Sequence, residues 1–416
     1  MTGAAVRARY TRRRAAAGLA VVSVLSLAVY LTASDGATSS KPTPHASTPR
    51  SPITTRPSVP VQIYAHTDTV RPEIATDINR VYVPSGLADM VTVIDPATKQ
   101  IVSQFSTGRG STPQHVIPSF DLKSLWVLLN KNDHVIRIDA RTGAIGAPIP
   151  VNDPYNMYFT PDGTSAIVVA EQHSRLDFRD PQTMALQQSL DIPGCRGLNH
   201  ADYSADLHTM LLTCEFAGTV AKVDIRTRRV VGTLAMATRP GQRPVEMPDR
   251  SMASSMPQDV RLSPDGKKFY VADMLQGGVH VVDGVHLRET AFIPTGVGAH
   301  SVTPSRDGRL LYIANRGSIS TRGRPGGPGS VSVMDASTDR VIATWSVPGG
   351  GSPDMGNLTA DGKELWLSGR FDHEVYVFDT ATGSLAARIP VPRGPHGLTL
   401  WPLPGRFSLG HTGNMR

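Results

Sequence analysis

Short runs in which apolar and polar residues alternate recur along the chain, and each run ends in an aspartate. Alternation with a period of two is typical of a β-strand with one buried face. The terminal residues of these runs are Asp95, Asp139, Asp180, Asp224, Asp283, Asp335 and Asp379. Neighbouring aspartates lie 41 to 59 residues apart, and the spacing of 44 occurs three times. This regularity predicts one structural unit repeated seven times.

Each unit contains the signals of four strands. An Asp-Gly turn, as at Thr160–Gly163 and Ser305–Gly308, separates the first strand from the second. In six units a threonine lies three residues after the terminal aspartate, which favours a tight turn between strands three and four. Four antiparallel strands at a period of about 40 to 50 residues are typical of propeller blades. We therefore predict an all-β fold, a seven-bladed β-propeller of four-stranded antiparallel blades, over residues 61–416.

Closure of the ring leaves two interpretations open. Residues 395–401 have the pattern of another first strand, and residues 406–410 have the pattern of a second. Residues 61–64 could add one strand from the other end of the chain. Seven blades closed by strands from both ends is the preferred prediction, and an eighth, mixed blade is the alternative.

Several segments resemble a known family of repeat proteins. Tyr270–Asp273, Tyr312–Asn315, the Ser-Pro-Asp-Gly turn at 263–266 and the Val-x-Val-x-Asp strands are similar to the repeats of the YVTN β-propeller family. The resemblance covers about residues 70–400 and implies a propeller. It implies no particular activity, because the repeated residues are those of turns and strands.

The first 60 residues differ in composition from the rest. Arg12–Arg14 precede a 19-residue apolar run, Ala15–Ala33, which as a helix would span about 28 Å. Residues 1–33 are predicted to be a cytoplasmic basic segment and a membrane anchor, with a cleaved signal peptide as the alternative. Residues 34–60 contain six prolines and eleven Ser/Thr residues, which predicts a disordered linker. The propeller is therefore expected outside the cytoplasm, attached to the cell membrane or secreted.

The net charge of +7 resides in the N-terminal segment. Residues 1–60 hold eight basic residues and one acidic residue, whereas the remaining chain holds 34 of each sign. A neutral body has no overall attraction for phosphates, so nucleic acid is not an expected partner. The expected partners are an envelope protein, a glycan or a small molecule, with the membrane contacted through the N-terminal helix and the propeller monomeric.

Chain topology predicts where polar residues gather. In an antiparallel blade, the links after strands two and four emerge on one face of the ring. Insertions at 236–255 and 316–330 occur in such links, so we name this side the elaborated face and the opposite side the plain face. Histidines occur where first strands begin at the elaborated face, and polar residues occur where second strands end there. The candidate ligands for a divalent metal ion are His115, Glu171, His200, Glu215, His300 and His396. The candidate catalytic residues are His200, Glu215, His300 and Asp273.

These residues allow more than one chemistry. Imidazoles and carboxylates can bind a divalent metal ion or act as general bases. A surface that binds a ligand or partner without metal, and a wet channel mouth with no specific role, are the alternatives. The sequence fixes no cofactor.

Only two cysteines are present, which excludes a disulfide-dense scaffold, a four-cysteine zinc site and an iron–sulfur cluster. Cys195 and Cys214 bracket one predicted hairpin, and we predict a disulfide between them in an oxidising compartment, with two buried thiols as the alternative.

Two functional hypotheses follow. The first is an extracytoplasmic binding or scaffold module that uses the elaborated face. The second is an enzyme, because propellers of similar outline include virginiamycin B lyase and lactonases, although no residue of this chain matches a motif of those enzymes.

Overall fold

The alternating segments form the strands of seven four-stranded antiparallel sheets in the computed structural model, so the predicted seven-bladed β-propeller is confirmed. The structure describes residues 63–64, 69–411 and 413–416. None of the described residues is helical, and within them no helix could cross a membrane. The predicted N-terminal helix within 1–33 and the linker at 34–60 lie outside the described residues.

Thirty strands make up the described part of the chain. The first fifteen are β1 (Arg80–Ser85), β2 (Met90–Asp95), β3 (Gln100–Ser106), β4 (Pro113–Pro118), β5 (Ser124–Leu129), β6 (His134–Asp139), β7 (Ile145–Pro150), β8 (Pro154–Phe159), β9 (Ala166–Ala170), β10 (Arg175–Arg179), β11 (Leu186–Asp191), β12 (Leu198–Tyr203), β13 (Thr209–Cys214), β14 (Thr219–Asp224) and β15 (Arg229–Ala235). The others are β16 (Val245–Glu246), β17 (Met252–Ala253), β18 (Pro257–Leu262), β19 (Phe269–Asp273), β20 (Gly278–Asp283), β21 (Arg288–Pro294), β22 (Ala299–Pro304), β23 (Leu310–Asn315), β24 (Ser330–Asp335), β25 (Arg340–Ser346), β26 (Pro353–Leu358), β27 (Glu364–Gly369), β28 (Glu374–Asp379), β29 (Leu385–Pro390) and β30 (Thr399–Trp401).

The ring is closed by pairing between the two ends of the propeller. Six blades, numbered 2 to 7, each consist of four consecutive strands, namely β4–β7, β8–β11, β12–β15, β18–β21, β22–β25 and β26–β29. Blade 1 contains β1, β2 and β3 and takes its innermost strand, β30, from the C-terminal end. Val81 of β1 lies opposite Leu400 of β30 in an antiparallel register. The short strands β16 and β17 form a hairpin inside the 236–255 insertion.

Residues 406–410 do not form the second strand that their pattern suggested. They run instead along the inner wall of blade 3, where the amide of Phe159 donates to the carbonyl of Leu409 at 3.1 Å. Ile63 and Tyr64 form a turn rather than a strand, and the amide of Ile63 donates to the carbonyl of Pro264 at 2.9 Å. Residues 63–64 and the C-terminal tail therefore pack on the propeller without adding an eighth blade.

The predicted Asp-x-x-Thr turns close as expected. In five blades the threonine amide donates to the aspartate carboxylate at 2.7 to 2.9 Å, with the pairs Asp139–Thr142, Asp180–Thr183, Asp224–Thr227, Asp335–Thr338 and Asp379–Thr382. In blade 1 the amide of Ala97, one residue before Thr98, donates to Asp95 at 2.9 Å. These turns fix the spacing of strands three and four.

Large apolar side chains fill the spaces between neighbouring blades. Trp366 of blade 7 and Trp401 of β30 lie in one cluster of buried residues with Val81 of blade 1. Trp401 is fully buried, and its indole N–H donates to the Asp77 carboxylate at 3.1 Å. The closing strand is thus held both by main-chain pairing and by a buried indole.

Replacement of Trp401 by alanine should lower the free energy of unfolding by about 3–5 kcal/mol, because a large cavity would remain between the first and last blades. Urea unfolding followed by circular dichroism measures this change. The matched control is Ile342→Ala, since Ile342 is 59% exposed on an outer strand and its loss should change the free energy by no more than about 0.5 kcal/mol. Equal stabilities of the two variants would contradict the closure described above.

Candidate functional site

Each first strand of blades 2 to 7 carries a one-residue bulge near its elaborated-face end. In blade 2, for example, Pro113 pairs with Leu129 whereas His115 pairs with Leu128, so one extra residue lies on β4. A bulge bends a strand and changes the direction of its side chains. Two successive residues of each first strand can therefore line the central channel.

The bulges arrange the channel-lining residues in levels. We name the first residue of each bulge the upper ring, and it comprises Gln114, Tyr155, Asn199, Gln258, His300, Asp354 and His396. The next residue in each blade gives the lower ring, which comprises His115, Asn156, His200, Asp259, Ser301, Met355 and Gly397. The residue that follows each second strand gives the mouth ring, which comprises Gly86, Asn130, Glu171, Glu215, Met274, Arg316 and Arg370. The mouth ring belongs to the elaborated face.

Five histidines meet inside this channel. They are His115, His200, His300, His396 and His411, and each is at most 1% exposed. The ring centroids of His115 and His396 are 4.8 Å apart, and those of His200 and His411 are 4.7 Å apart. One ligand nitrogen from each of His115, His200 and His411 can be chosen so that all three lie within 4.8 Å of one another. Such a set can hold one metal ion with a coordination position left for water or substrate.

The fifth histidine comes from the C-terminal tail, which closes the channel towards the plain face. The amide of His411 donates to the carbonyl of Met157 at 2.8 Å. Farther along, the side chain of Arg416 lies 3.0 Å from the Asp202 carboxylate, and Asn414 donates to the same carboxylate at 2.8 Å. The tail therefore packs across the plain-face end of the channel.

Two glycines make the close approaches possible. A Cβ atom on Gly397, in the lower ring, would collide with the imidazole of His115. Gly410 has a φ of +95° and lies against the main chain of Met157 and Tyr158. Larger residues at these positions would displace either a ring histidine or the tail.

The nitrogens of His115 and His200 are unusual for buried polar atoms. Among the residues that the structure describes, none provides a hydrogen-bond partner to either ring nitrogen of these two side chains. A buried polar atom without a partner typically costs about 1–3 kcal/mol. A metal ion or bound water would satisfy these lone pairs, so the residues present fit a metal ion.

The other three imidazoles are oriented by acidic groups. Nδ1 of His300 lies 2.8 Å from Asp354, and Nδ1 of His396 lies 2.7 Å from the other oxygen of the same carboxylate. Nε2 of His411 lies 3.3 Å from Asp259. Carboxylates that hold the far side of an imidazole fix its tautomer and direction, which is a common feature of metal-binding histidines.

Burial keeps the imidazoles neutral. Desolvation is the main cause that lowers the pKa of His300 to about 4 and of His396 to about 3, and the pKa of His115 and His200 also falls well below the ordinary value. Neutral imidazole has the free lone pair that metal binding and base catalysis both require. Burial opposes the ionisation of Asp354, but Arg316 and the two neighbouring histidines outweigh it and hold the pKa of that carboxyl well below its usual range.

The mouth ring places two carboxyls above the imidazoles. Glu215 accepts hydrogen bonds of 3.0 Å from Gln258 and from Asn199. Burial, followed by the charge of Glu215, raises the pKa of Glu171 to about 8. A protonated carboxyl beside neutral imidazoles is the arrangement that general acid–base chemistry uses at neutral pH.

The structure brings most of the candidate residues predicted from the sequence together and leaves Asp273 apart. His115, His200, His300 and His396 meet in the channel, with Glu171 and Glu215 above them. Asp273 lies apart from this cluster. It accepts hydrogen bonds from the Ser255 side chain and the Met256 amide, and it lies 3.1 Å from Nε2 of His280. Cys195 and Cys214 form a disulfide with Cα atoms 4.8 Å apart.

Other residues of the site were missed in the sequence. They are Tyr155, Asp259, Asp354, Arg370 and His411. One signal was present, because proline precedes the ring positions at Pro113, Pro154, Pro257, Pro353 and Pro395, and it would have aligned Asp354 with His396. The position of His411 depends on the path of the tail and has no repeat to indicate it.

Comparison with known proteins agrees with this architecture. A family model described as a YNCE-like beta-propeller matches residues 246–404, which span blades 5 to 7 and the closing strand. This chain is a β-propeller repeat protein of the YVTN type. No curated protein sequence matches this YVTN-type propeller.

Solved structures resemble the YVTN-type propeller in fold. Hydrazine synthase of Kuenenia stuttgartiensis is 18% identical, with 69% of this chain and 89% of that chain covered and a TM-score of 0.56. A Bacteroides uniformis protein described as a candidate 6-phosphogluconolactonase is 17% identical, with 78% and 99% covered and a TM-score of 0.59. A Desulfotomaculum acetoxidans protein of unknown function is 15% identical, with the same coverage and TM-score. At these identities the similarity establishes the fold alone.

The raised pKa of Glu171 makes stability depend on pH. The folded state holds the proton up to about pH 8, whereas the ordinary value is 4.5, so stability present below about pH 4.5 is lost as the pH rises towards 8. The Glu171→Gln variant cannot ionise at this position. Its free energy of unfolding should exceed that of the native protein by on the order of 3 kcal/mol at pH 8. Thermal unfolding of both proteins between pH 5 and pH 8 measures this difference, because that range runs from just above the ordinary pKa of a glutamate to the raised pKa of Glu171.

The control for this prediction is Glu246→Gln, because Glu246 is exposed on the insertion hairpin. This variant should follow the native pH dependence. A constant difference between Glu171→Gln and the native protein at every pH would contradict the buried position of Glu171.

Proposed function

We propose that this propeller is a metal-dependent enzyme that binds a divalent transition-metal ion through His115, His200 and His411. The observation that carries the proposal is the convergence of these three buried imidazoles, two of which have no hydrogen-bond partner among the described residues. Three histidines with one open coordination position are typical of catalytic rather than structural zinc sites.

The surrounding residues support a catalytic use of the site. A bound ion of this type would polarise an oxygen of the substrate and lower the pKa of coordinated water. Asp259 holds Nε2 of His411, and a bound ion would replace the Asn156 amide, which lies 3.1 Å from Nδ1. Asp354 orients His300 and His396 for proton transfer. Glu171, protonated near neutral pH, is placed to donate a proton to a leaving group. Hydrolysis of an ester or lactone, or a lyase reaction, would use these roles, and a candidate lactonase is among the proteins of similar fold.

A second candidate function is a binding or scaffold module that acts through the elaborated face. The insertion at 236–255 favours it. Its hairpin of β16 and β17 is anchored by Met247, which is buried against Met256 and Met274, and it leaves Met252 60% exposed. An inserted hairpin that exposes an apolar side chain suits recognition of a partner.

The disulfide between Cys195 and Cys214 supports a location outside the cytoplasm, since disulfides persist in oxidising compartments. Together with the apolar segment at 15–33, it favours an envelope location, either anchored to the membrane or secreted.

Metal analysis of the purified full-length protein tests the proposed function. We expect about one equivalent of a transition-metal ion per chain after equilibration with Zn²⁺ or Co²⁺, and His115→Ala and His200→Ala should each weaken binding by at least about 100-fold, because each removes a ligand. Isothermal titration calorimetry gives the affinities.

The matched control is His208→Ala, because the side chain of His208 is 53% exposed in a turn of the plain face. It should bind metal like the native protein. Native affinity in both channel variants, with folding verified by circular dichroism, would refute the metal site and leave the binding module as the better account.

A further inference from the structure

We propose that the mouth of the channel binds a small oxyanion, a carboxylate or a phosphate group, which the guanidinium of Arg370 anchors above the imidazole cluster. The inference rests on the proposed function in one respect, since it assigns the class of ligand that would occupy the same chamber.

The four guanidinium groups along the channel are not equivalent. Three of them have carboxylate partners: Arg316 lies 2.8 Å from Asp354, Arg416 lies 3.0 Å from Asp202, and Arg261 lies 3.6 Å from Asp259. Arg370 differs, because no described carboxylate lies within ion-pair distance of it, and its Nη1 is buried without an acceptor among the described residues. The residue as a whole is half-buried. Partial burial of a guanidinium without a carboxylate partner is unfavourable, and an anionic ligand would relieve it.

Arg370 is held in place from its main chain outwards. It follows β27 in the mouth ring, and its amide donates to the carbonyl of Ser352 at 3.0 Å. The next amide, that of Phe371, donates to the Ser352 hydroxyl at 2.8 Å. These bonds fix the main chain from which the Arg370 side chain extends.

The charge of Arg370 acts on the imidazole cluster. Burial first, and the charge of Arg370 second, lower the pKa of His396. The same charge acts on Glu171 and on Tyr155, whose hydroxyl lies 3.4 Å from Nε2 of His396. The charge of Arg370 therefore acts on His396 and Tyr155 of the upper ring and on Glu171 of the mouth ring.

Charge balance favours an anion as the occupant. The buried carboxylates Asp259 and Asp354 offset the guanidiniums of Arg261 and Arg316. Glu215 accepts its hydrogen bonds from Gln258 and Asn199 and forms no ion pair with Arg370. Glu171 stays protonated near neutral pH and does not repel an anion. A divalent ion among neutral imidazoles would leave the chamber positively charged, and a bound oxyanion would compensate it. The planar fork of an arginine suits the paired oxygens of a carboxylate or phosphate.

Titration of the purified full-length protein with oxalate and, separately, with inorganic phosphate tests the inference by calorimetry. Each probe is added to chelator-treated protein and to Co²⁺-loaded protein. We expect saturable binding of at least one probe, and Arg370→Met should weaken it by about tenfold or more in both preparations, because the guanidinium acts independently of the metal. Arg370→Lys, which keeps the charge but loses the fork, should give an intermediate affinity.

A stability measurement separates this role from a structural one. Methionine removes a buried charge that has no partner, so the melting temperature of Arg370→Met should be equal to or above that of the native protein, whereas loss of a structural ion pair would lower it. The matched control is Arg322→Met, since Arg322 is exposed in the insertion of the same face. That variant should bind both probes like the native protein.

The outcomes are distinguishable from those of the metal site. Anion binding that depends on Arg370 in a protein that binds no metal would support the anion site and overturn the metal-dependent function. Metal binding with equal probe affinities in native protein and Arg370→Met would overturn the anion site alone, as would absence of saturable binding of both probes. A preference for oxalate over phosphate would assign the ligand as a carboxylate, and the reverse as a phosphate.

Discussion

The pairing of β30 with β1 is the constraint on which the remainder of the structure depends. Thr399–Trp401 complete blade 1 from the far end of the chain, and the buried indole of Trp401 lies among the residues that join blades 7 and 1. Without this closure, the inner edge of β1 would be unpaired and the channel would have no continuous wall. Closure also brings two histidines into the channel. The segment that leads into β30 carries His396, and the tail that follows β30 carries His411.

A propeller channel can hold a polar cluster because the strands around it are bulged at equivalent positions. In each of blades 2 to 7 the extra residue turns two successive side chains inwards, as at His115 in β4 and His300 in β22. The apolar cores between the blades remain intact, and Trp126 and Trp366 stay buried there. The polar groups satisfy one another largely through shared carboxylates, of which Asp354 serves two imidazoles and one guanidinium. Some buried atoms of the channel lack such partners, among them the amide oxygens of Gln114 and Asn199. Those on His115, His200 and Arg370 can bind a metal ion or an anion, and they are the ones on which the ligand proposals rest.

Much of this architecture follows from local sequence signals. The seven Asp-terminated strands and the Asp-Gly turns are short-range features, so the number of blades and their strand order were predictable. Antiparallel topology also predicts that His115, His200, His300 and His396 approach one channel. One indication of their levels was present in the sequence, because His300 lies seven residues before the aspartate of its turn whereas His115 and His200 lie six residues before theirs. The bulges place His300 in the upper ring and the other two in the lower ring.

The other features of the candidate site depend on long-range contacts, which the repeat pattern does not indicate. His411 reaches Asp259 across more than a hundred residues of sequence because the tail turns into the channel instead of forming a second strand. In the sequence Arg370 resembles an ordinary loop residue, and only the closed ring places its link across the mouth from Glu171 and Glu215. Asp273 shows the reverse error. It is the last residue of β19, one position before the mouth ring, and its side chain contacts Ser255 and His280.

The most direct measurement of the central claim is anomalous X-ray diffraction from a crystal of the protein equilibrated with Co²⁺ or Zn²⁺. The account predicts a single strong anomalous peak on the channel axis, within coordination distance of nitrogens from His115, His200 and His411, with the tail in place on the plain-face side. A peak elsewhere, or a channel without any peak at full saturation, would contradict it.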